Sequence, residues 1–182
     1  QYGMGDVWEW GADVGGQSWR TGGDLGGELN QIFSVALANA SLRRWSKRGA
    51  LNDPDYIQIG YIGLARTNGE ARPGPLTATE QYSFMSLWSL MAAPLFYSGD
   101  LTRLDDFTLN VLCNPEVIPI NQDTLGESAR VEMLSPETFV MIKKLDDGGF
   151  ALGLCNADEI ARDVTANWSA LGLATKQHLR DV

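Results

Sequence analysis

Trp19-Arg20-Thr21-Gly22-Gly23-Asp24 (WRTGGD) is the stretch from which the rest of the chain is read. It packs an indole, a guanidinium, a hydroxyl, a glycine pair and a carboxylate into one short segment. Residues 17–21 read as a short strand running into it, so Asp24 is expected just past that strand's C-terminal end. Arg20 offers a rigid fork of donors suited to a carboxylate or to paired hydroxyls. Gly22 and Gly23 let the backbone turn sharply and approach a ligand. An aromatic, a donor fork and a carboxylate on one turn is chemistry that suits a sugar. Taken alone, the stretch fits equally well a surface turn with a routine Arg–Asp pair.

Downstream, the spacing predicts a helix over Glu28 to Arg44. Leu29, Ile32, Phe33, Ala36, Leu37 and Ala40 recur at three and four residues and make one apolar face. Arg43 and Arg44 suit the negative end of its dipole. Upstream, residues 1–18 read as a strand end followed by a loop or short helix around Val7 to Ala12. Asp6, Glu9 and Asp13 fit helix-surface charge there.

A second acidic stretch, Ala50 to Gly60 (ALNDPDYIQIG), places Asp53 and Asp55 on either side of Pro54. The proline fixes its own φ and restrains the residue before it. In an extended segment both carboxylates point to the same side. A Gly/Pro-rich loop spans 62–76. A helix capped by Thr77 or Thr79 follows, apolar on most sides through SFMSLWSLMAA and ended by Pro94. Pro94 to Ser98 reads as a buried strand with Asp100 at its end, Leu101 to Leu112 as a helix, and Val117 to Gly126 as an apolar turn.

Strand, turn and helix in that order, three times over, is the rhythm of a parallel sheet. Asp24, Asp53 with Asp55, and Asp100 all fall at or near strand C-termini. In a (β/α)8 barrel that is the active-site face. Glycosidases use a pair of carboxylates, and the chain supplies several at one face. From about Ser128 the character changes to short β-like runs (VEMLS, TFVMIKKL, FALGLCN, ARDVTANWS, KQHLRDV) parted by turns, as in an antiparallel β domain.

Composition narrows the choice of partner. The 182 residues carry a net charge of -9, whereas a nucleic-acid partner needs a basic face. No run of about eighteen apolar residues is present, and no membrane partner is expected. Cys113 and Cys155 have no metal-ligand spacing and sit in apolar runs, so two buried free thiols are expected rather than a disulfide. His178, the single histidine, lies among charged residues near the C-terminus, which argues against Ser–His–Asp chemistry. Six tryptophans suit sugar stacking as well as core packing. No cofactor or metal is implied. Asn39 and Asn167 begin N-x-S glycosylation patterns. Both chain ends look cut, which marks a piece of a longer protein. Such a piece alone is expected to be inactive and poorly soluble, since half a barrel leaves sheet edges unpaired.

WRTGGD, NDPD, LWSLMAAPLFYSGDL and EVIPINQDTLG, in this order, resemble the α-galactosidases (melibiases) of glycoside hydrolase family 27. The resemblance implies an α/β fold: the C-terminal part of a (β/α)8 TIM barrel over residues 1–127, then the start of a truncated antiparallel β-sandwich over 128–182. It implies a retaining hydrolase that releases terminal α-linked galactose, with an α-galactoside or related saccharide as its partner. An α-N-acetylgalactosaminidase, a β-L-arabinopyranosidase and a non-catalytic carbohydrate-binding homologue are the alternatives. By resemblance Asp24 is the general acid/base, while Arg20, Asp55, Gln1 and Trp19 contact the sugar. Asp53 braces Asp55 from behind. The nucleophile is implied to sit in a Lys-x-Asp motif on the strand before this chain, and a secreted or periplasmic location is implied. Gln1 stands where the family has a glutamate that reads the sugar 2-position, Leu51 where it often has Trp, and Gly22 where it often has Thr.

Overall fold

The computed structural model describes residues 3–63, 69, 71–174 and 176–182. In chain order it begins with α1 (Val7–Trp10) and a 3-10 turn at Gly11–Val14, then β1 (Ser18–Arg20). Helix α2 (Leu29–Ser41) carries the chain to β2 (Leu51–Asp53), which lies parallel to β1 with Trp19 opposite Asn52 and Arg20 opposite Asp53. Parallel neighbours need such a crossover, and α2 provides it. Its apolar stripe of Ile32, Phe33, Ala36 and Ala40 is buried.

The pattern repeats once more. A small antiparallel pair, β3 (Tyr61–Ile62) with β4 (Arg72–Pro73), precedes α3 (Ala78–Leu90). Beyond α3 the chain returns beside β2's extension, where Ile57 and Tyr97 form a parallel bridge. The Ile57 amide donates to the Phe96 carbonyl at 2.7 Å, and the Ser98 amide donates to the Ile57 carbonyl at 2.9 Å. Helix α3 starts at a capping box: Thr77 Oγ1 accepts from the Glu80 amide while the Glu80 carboxylate accepts from the Thr77 amide. Phe84, Met85, Leu87, Trp88 and Leu90 are all buried, so α3 is wrapped on several sides, as its near-continuous apolar sequence predicts.

Helices α4 (Asp106–Leu112) and α5 (Val117–Asn121) close this half. An antiparallel meander follows: β5 (Arg130–Met133), β6 (Thr138–Lys144) and β7 (Phe150–Asn156), in spatial order 5-6-7. Phe139 and Met141 of β6 join the core made by α2 and α3, with Phe139 edge-on to Phe33 at 5.9 Å between centroids. Val140 and Ile142 face the other way and pack with Leu171. Burial on both faces explains why TFVMIKK reads as an apolar run instead of an alternation.

Several sequence expectations change. The α-helical part of the first long helix stops at Ser41, and Arg43 and Arg44 belong to a 3-10 turn, Arg43–Trp45. YIQIG and PLFYS, expected as strands, form no assigned strand and pair in ladder fashion only at the Ile57–Tyr97 bridge among the described residues. Val117–Asn121 is helical and not a turn; its proline, Pro119, lies in the first turn, where a missing N–H costs nothing. Leu101 to Leu112 divides into a 3-10 turn at Leu101–Arg103 and α4. ARDVTANWS and KQHLRDV form no strand among their described residues. Cys113 is exposed because it sits at the C-terminal cap of α4, and Cys155 is half-buried. Burial pushes the Cys155 thiol up to about 12. Asn39 is buried, accepting from Thr21 Oγ1 at 2.7 Å, so its glycosylation pattern is inaccessible; Asn167 is exposed.

Candidate active site

Parallel pairing puts Arg20 at the end of β1 directly beside Asp53 at the end of β2. The Thr21 amide donates to the Asp53 carbonyl at 2.9 Å, which continues the ladder one step past the strand. The chain then turns through Gly22 and Gly23, whose carbonyls accept from one guanidinium nitrogen of Arg20 at 3.1 and 2.9 Å. The same nitrogen lies 3.6 Å from Asp24 Oδ1, while the other terminal nitrogen lies 3.0 Å from Asp55 Oδ1. One guanidinium therefore fixes its own turn and spans two carboxylates from separate strand ends.

The two carboxylates differ in setting. Asp24 keeps 67% of its side chain exposed, whereas the Asp55 side chain keeps 2%. Asp55 is held at every oxygen. Its Oδ2 accepts from the Leu25 amide at 2.7 Å, and its Oδ1 accepts from the Tyr56 amide at 2.8 Å and pairs with Arg20. Its carbonyl accepts from the Trp88 indole at 2.8 Å. These anchors hold a backbone φ of 148°, a region rare for a residue with a side chain and worth about 1–3 kcal/mol of strain. Asp53 lies opposite Arg20 in the parallel register and Asp55 pairs with the same guanidinium, so the two carboxylates converge on one side of the chain.

Asp53 is buried, and its carboxyl is pushed above the usual range by that burial, with Arg20 pulling it back down and Asp55 adding to the rise. One of its oxygens, Oδ1, has no hydrogen-bond partner, and neither has Arg20 Nε.

The other expected site residues fall as follows. Trp19 is buried against Val7 and Ala50, and its indole donates to Asn52 Oδ1 at 2.8 Å; the ring holds β1 to β2 and presents no face to a ligand. Gln1 lies outside the described residues. Asp100 is not drawn to Arg20: it caps the Leu101–Arg103 turn, and its bonds to Thr102 hold its carboxyl below the usual range. Lys144-Leu145-Asp146 matches Lys-x-Asp by letter only, since it runs from the last residue of β6 into the β6–β7 turn, with the Asp146 amide donating to Asp123 Oδ2. Among the described residues no group of three or more His, Cys, Asp or Glu side chains is placed to hold a metal. The sequence shows Trp88 only as part of an apolar helix; its partner is 33 residues away, beyond any local pattern.

An exposed carboxylate beside a guanidinium can exchange a proton with a bound ligand. A buried, fully hydrogen-bonded carboxylate offers a fixed acceptor for a hydroxyl.

A family model described as α-galactosidase A matches residues 16–123. The chain is 32% identical over 174 residues to the α-galactosidase of Cyamopsis tetragonoloba, an alignment that covers 95% of this chain and 39% of that protein. It is 32% identical to α-galactosidase A of Cellvibrio japonicus, covering 93% of this chain and 41% of that one. The chain thus spans about two-fifths of the length of the curated relatives it matches. Among solved structures, a β-L-arabinopyranosidase of family 27 from Geobacillus stearothermophilus, in complex with arabinose, superposes with a TM-score of 0.78 at 24% identity, covering 86% of this chain and 36% of that one.

Proposed function

The chain belongs to the α-galactosidase A (melibiase) family, glycoside hydrolase family 27, and on that premise we propose that it supplies the acid/base side of a retaining α-galactosidase site. Asp24 protonates the departing glycosidic oxygen as the bond to the anomeric carbon breaks. The nucleophilic carboxylate comes from a Lys-x-Asp motif of the full-length protein, outside these residues, and forms the glycosyl ester. Asp24, now a carboxylate, takes a proton from the water that opens that ester, so the configuration is retained. Arg20 and Asp55 donate to and accept from the sugar hydroxyls.

The observation that carries this reading is the Arg20 fork, which holds the exposed Asp24 and the buried Asp55 at one pair of strand ends. In this reading residues 1–127 form the C-terminal part of a (β/α)8 barrel and residues 128–182 open a β-sandwich. The parallel Ser18–Arg20, Leu51–Asp53 and Ile57–Tyr97 contacts with their crossover helices support the first, and the β5-β6-β7 meander supports the second. A secreted or periplasmic location is proposed on the family resemblance; cell fractionation tests it.

The full-length protein should hydrolyse an aryl α-galactoside, with α-galactose as the first product seen by proton NMR. First release of the β anomer overturns retention. Faster turnover of the 2-acetamido or β-L-arabinopyranosyl analogue moves the substrate to that sugar.

A further inference from the structure

Trp88 is fully buried in the middle of the core, so its ring alone accounts for a packing role. Its indole N–H does something more specific. It donates at 2.8 Å to the main-chain carbonyl of Asp55, the residue whose φ of 148° departs from what L-residues ordinarily adopt. Flipping that peptide back to an ordinary conformation would turn the carbonyl away from the indole. It would also pull the carboxylate off the Leu25 and Tyr56 amides and off Arg20. Unlike the Leu25 and Tyr56 amides and Arg20, the indole acts on the Asp55 backbone and not on its side chain.

Trp88 is itself held. The ring of Phe84 meets it edge-on at 4.4 Å, and its carbonyl accepts from Asn121 Nδ2 at 3.3 Å, while the same Asn121 nitrogen donates to the Ala93 carbonyl at 2.8 Å. The donor therefore cannot follow Asp55 if the turn relaxes. We propose that Trp88 is a positioning residue: its indole N–H holds the strained Asp55 backbone, and through it keeps the Asp55 carboxylate and Arg20 in register for the sugar. The inference rests on the galactosidase reading for its consequence in turnover but not for its structural content.

The test uses the full-length protein with Trp88→Phe, which keeps a large ring and removes the donor. Leu87→Ala serves as a control that weakens the same helix without touching Asp55. Leaving a buried carbonyl unpaired in the site should lower kcat/KM by about 10-fold or more. The fall should come mainly through KM, and should exceed that of a Leu87→Ala protein with an equal or larger loss of Tm. Hydrogen exchange of the Leu25 and Tyr56 amides, the two donors to the Asp55 carboxylate, should quicken in Trp88→Phe while the Met91 amide stays protected. A loss of Tm with kcat/KM and both amides as in the control overturns the proposal. A wild type silent on α-galactosides defeats the functional reading alone, and the exchange result still decides this one. Should Trp88→Phe not fold, hydrogen exchange in the wild type gives the answer: the Trp88 indole N–H should exchange no faster than the Leu25 and Tyr56 amides, and an indole that exchanges faster than both overturns the proposal.

Discussion

Arg20, Asp24, Asp53 and Asp55 share one patch but stand in different physical states. Asp24 is solvated, Asp55 is buried and saturated with donors, and Asp53 is buried with one oxygen unpartnered. Burial raises the folded-state pKa of Asp53 above its ordinary value of 3.8. Its contribution to stability is therefore complete below the unfolded pKa and is lost as pH rises through the folded one. Asp53→Asn, which cannot ionise, should gain on the wild type steadily as pH rises above about 4. Urea midpoints at several pH values between about 4 and 7 measure this, and a difference independent of pH contradicts it. The charged members of this patch were legible because WRTGGD and NDPD announce them by residue type. The roles of Trp19 and Trp88 were not legible: one indole turns to Asn52 and the other to Asp55 only after the strands are paired.

Among the elements, the helices were easier to read than the strands. The three- and four-residue spacing in α2 and the capping threonine of α3 are local signals, and both helices form there, with α2 ending at Ser41 short of Arg44 and Thr77, not Thr79, taking the cap of α3. Thr77→Ala removes the side-chain half of the capping box and should cost about 1 kcal/mol by urea denaturation. A change within error would mean that the tertiary contacts of α3 alone fix its start. The strand-like stretches fared less well because pairing, not propensity, defines a strand. YIQIG and PLFYS have the right composition, yet they share a single bridge among the described residues. ARDVTANWS likewise turns its valine and tryptophan toward the Val140–Ile142 face without entering the sheet.

Across the whole molecule, the β5-β6-β7 sheet is joined to the helical half by apolar packing and by one buried cation. Lys143 is 0% exposed, and its ammonium donates to the carbonyls of Ser89, Ile120 and Asn121, at the C-terminal ends of α3 and α5. Helix C-termini favour a cation there. The sequence shows this only as a lysine pair after an apolar run. Lys143→Met should lose about 2–4 kcal/mol at neutral pH, because three main-chain carbonyls are left without a donor. Burial lowers the Lys143 pKa from 10.5 to about 8, with Asp123 opposing the fall. A depressed pKa means that its contribution is complete above the unfolded value and is lost as pH falls through the folded one. The stability gap between wild type and Lys143→Met should therefore widen from pH 8 to 10.5; a gap that narrows over that window contradicts the account. The passage from helices to the β5-β6-β7 meander was legible from the change in sequence texture, whereas the grip of the sheet on α3 and α5 depends on contacts far apart in the chain. The central claim, that Asp24 is the acid/base, is tested most directly in the full-length protein by comparing wild type with Asp24→Ala on aryl α-galactosides of good and poor leaving groups. Loss of an acid catalyst should slow the poor leaving group by about 10²–10⁴-fold and the good one far less. Equal losses on both substrates would contradict the assignment.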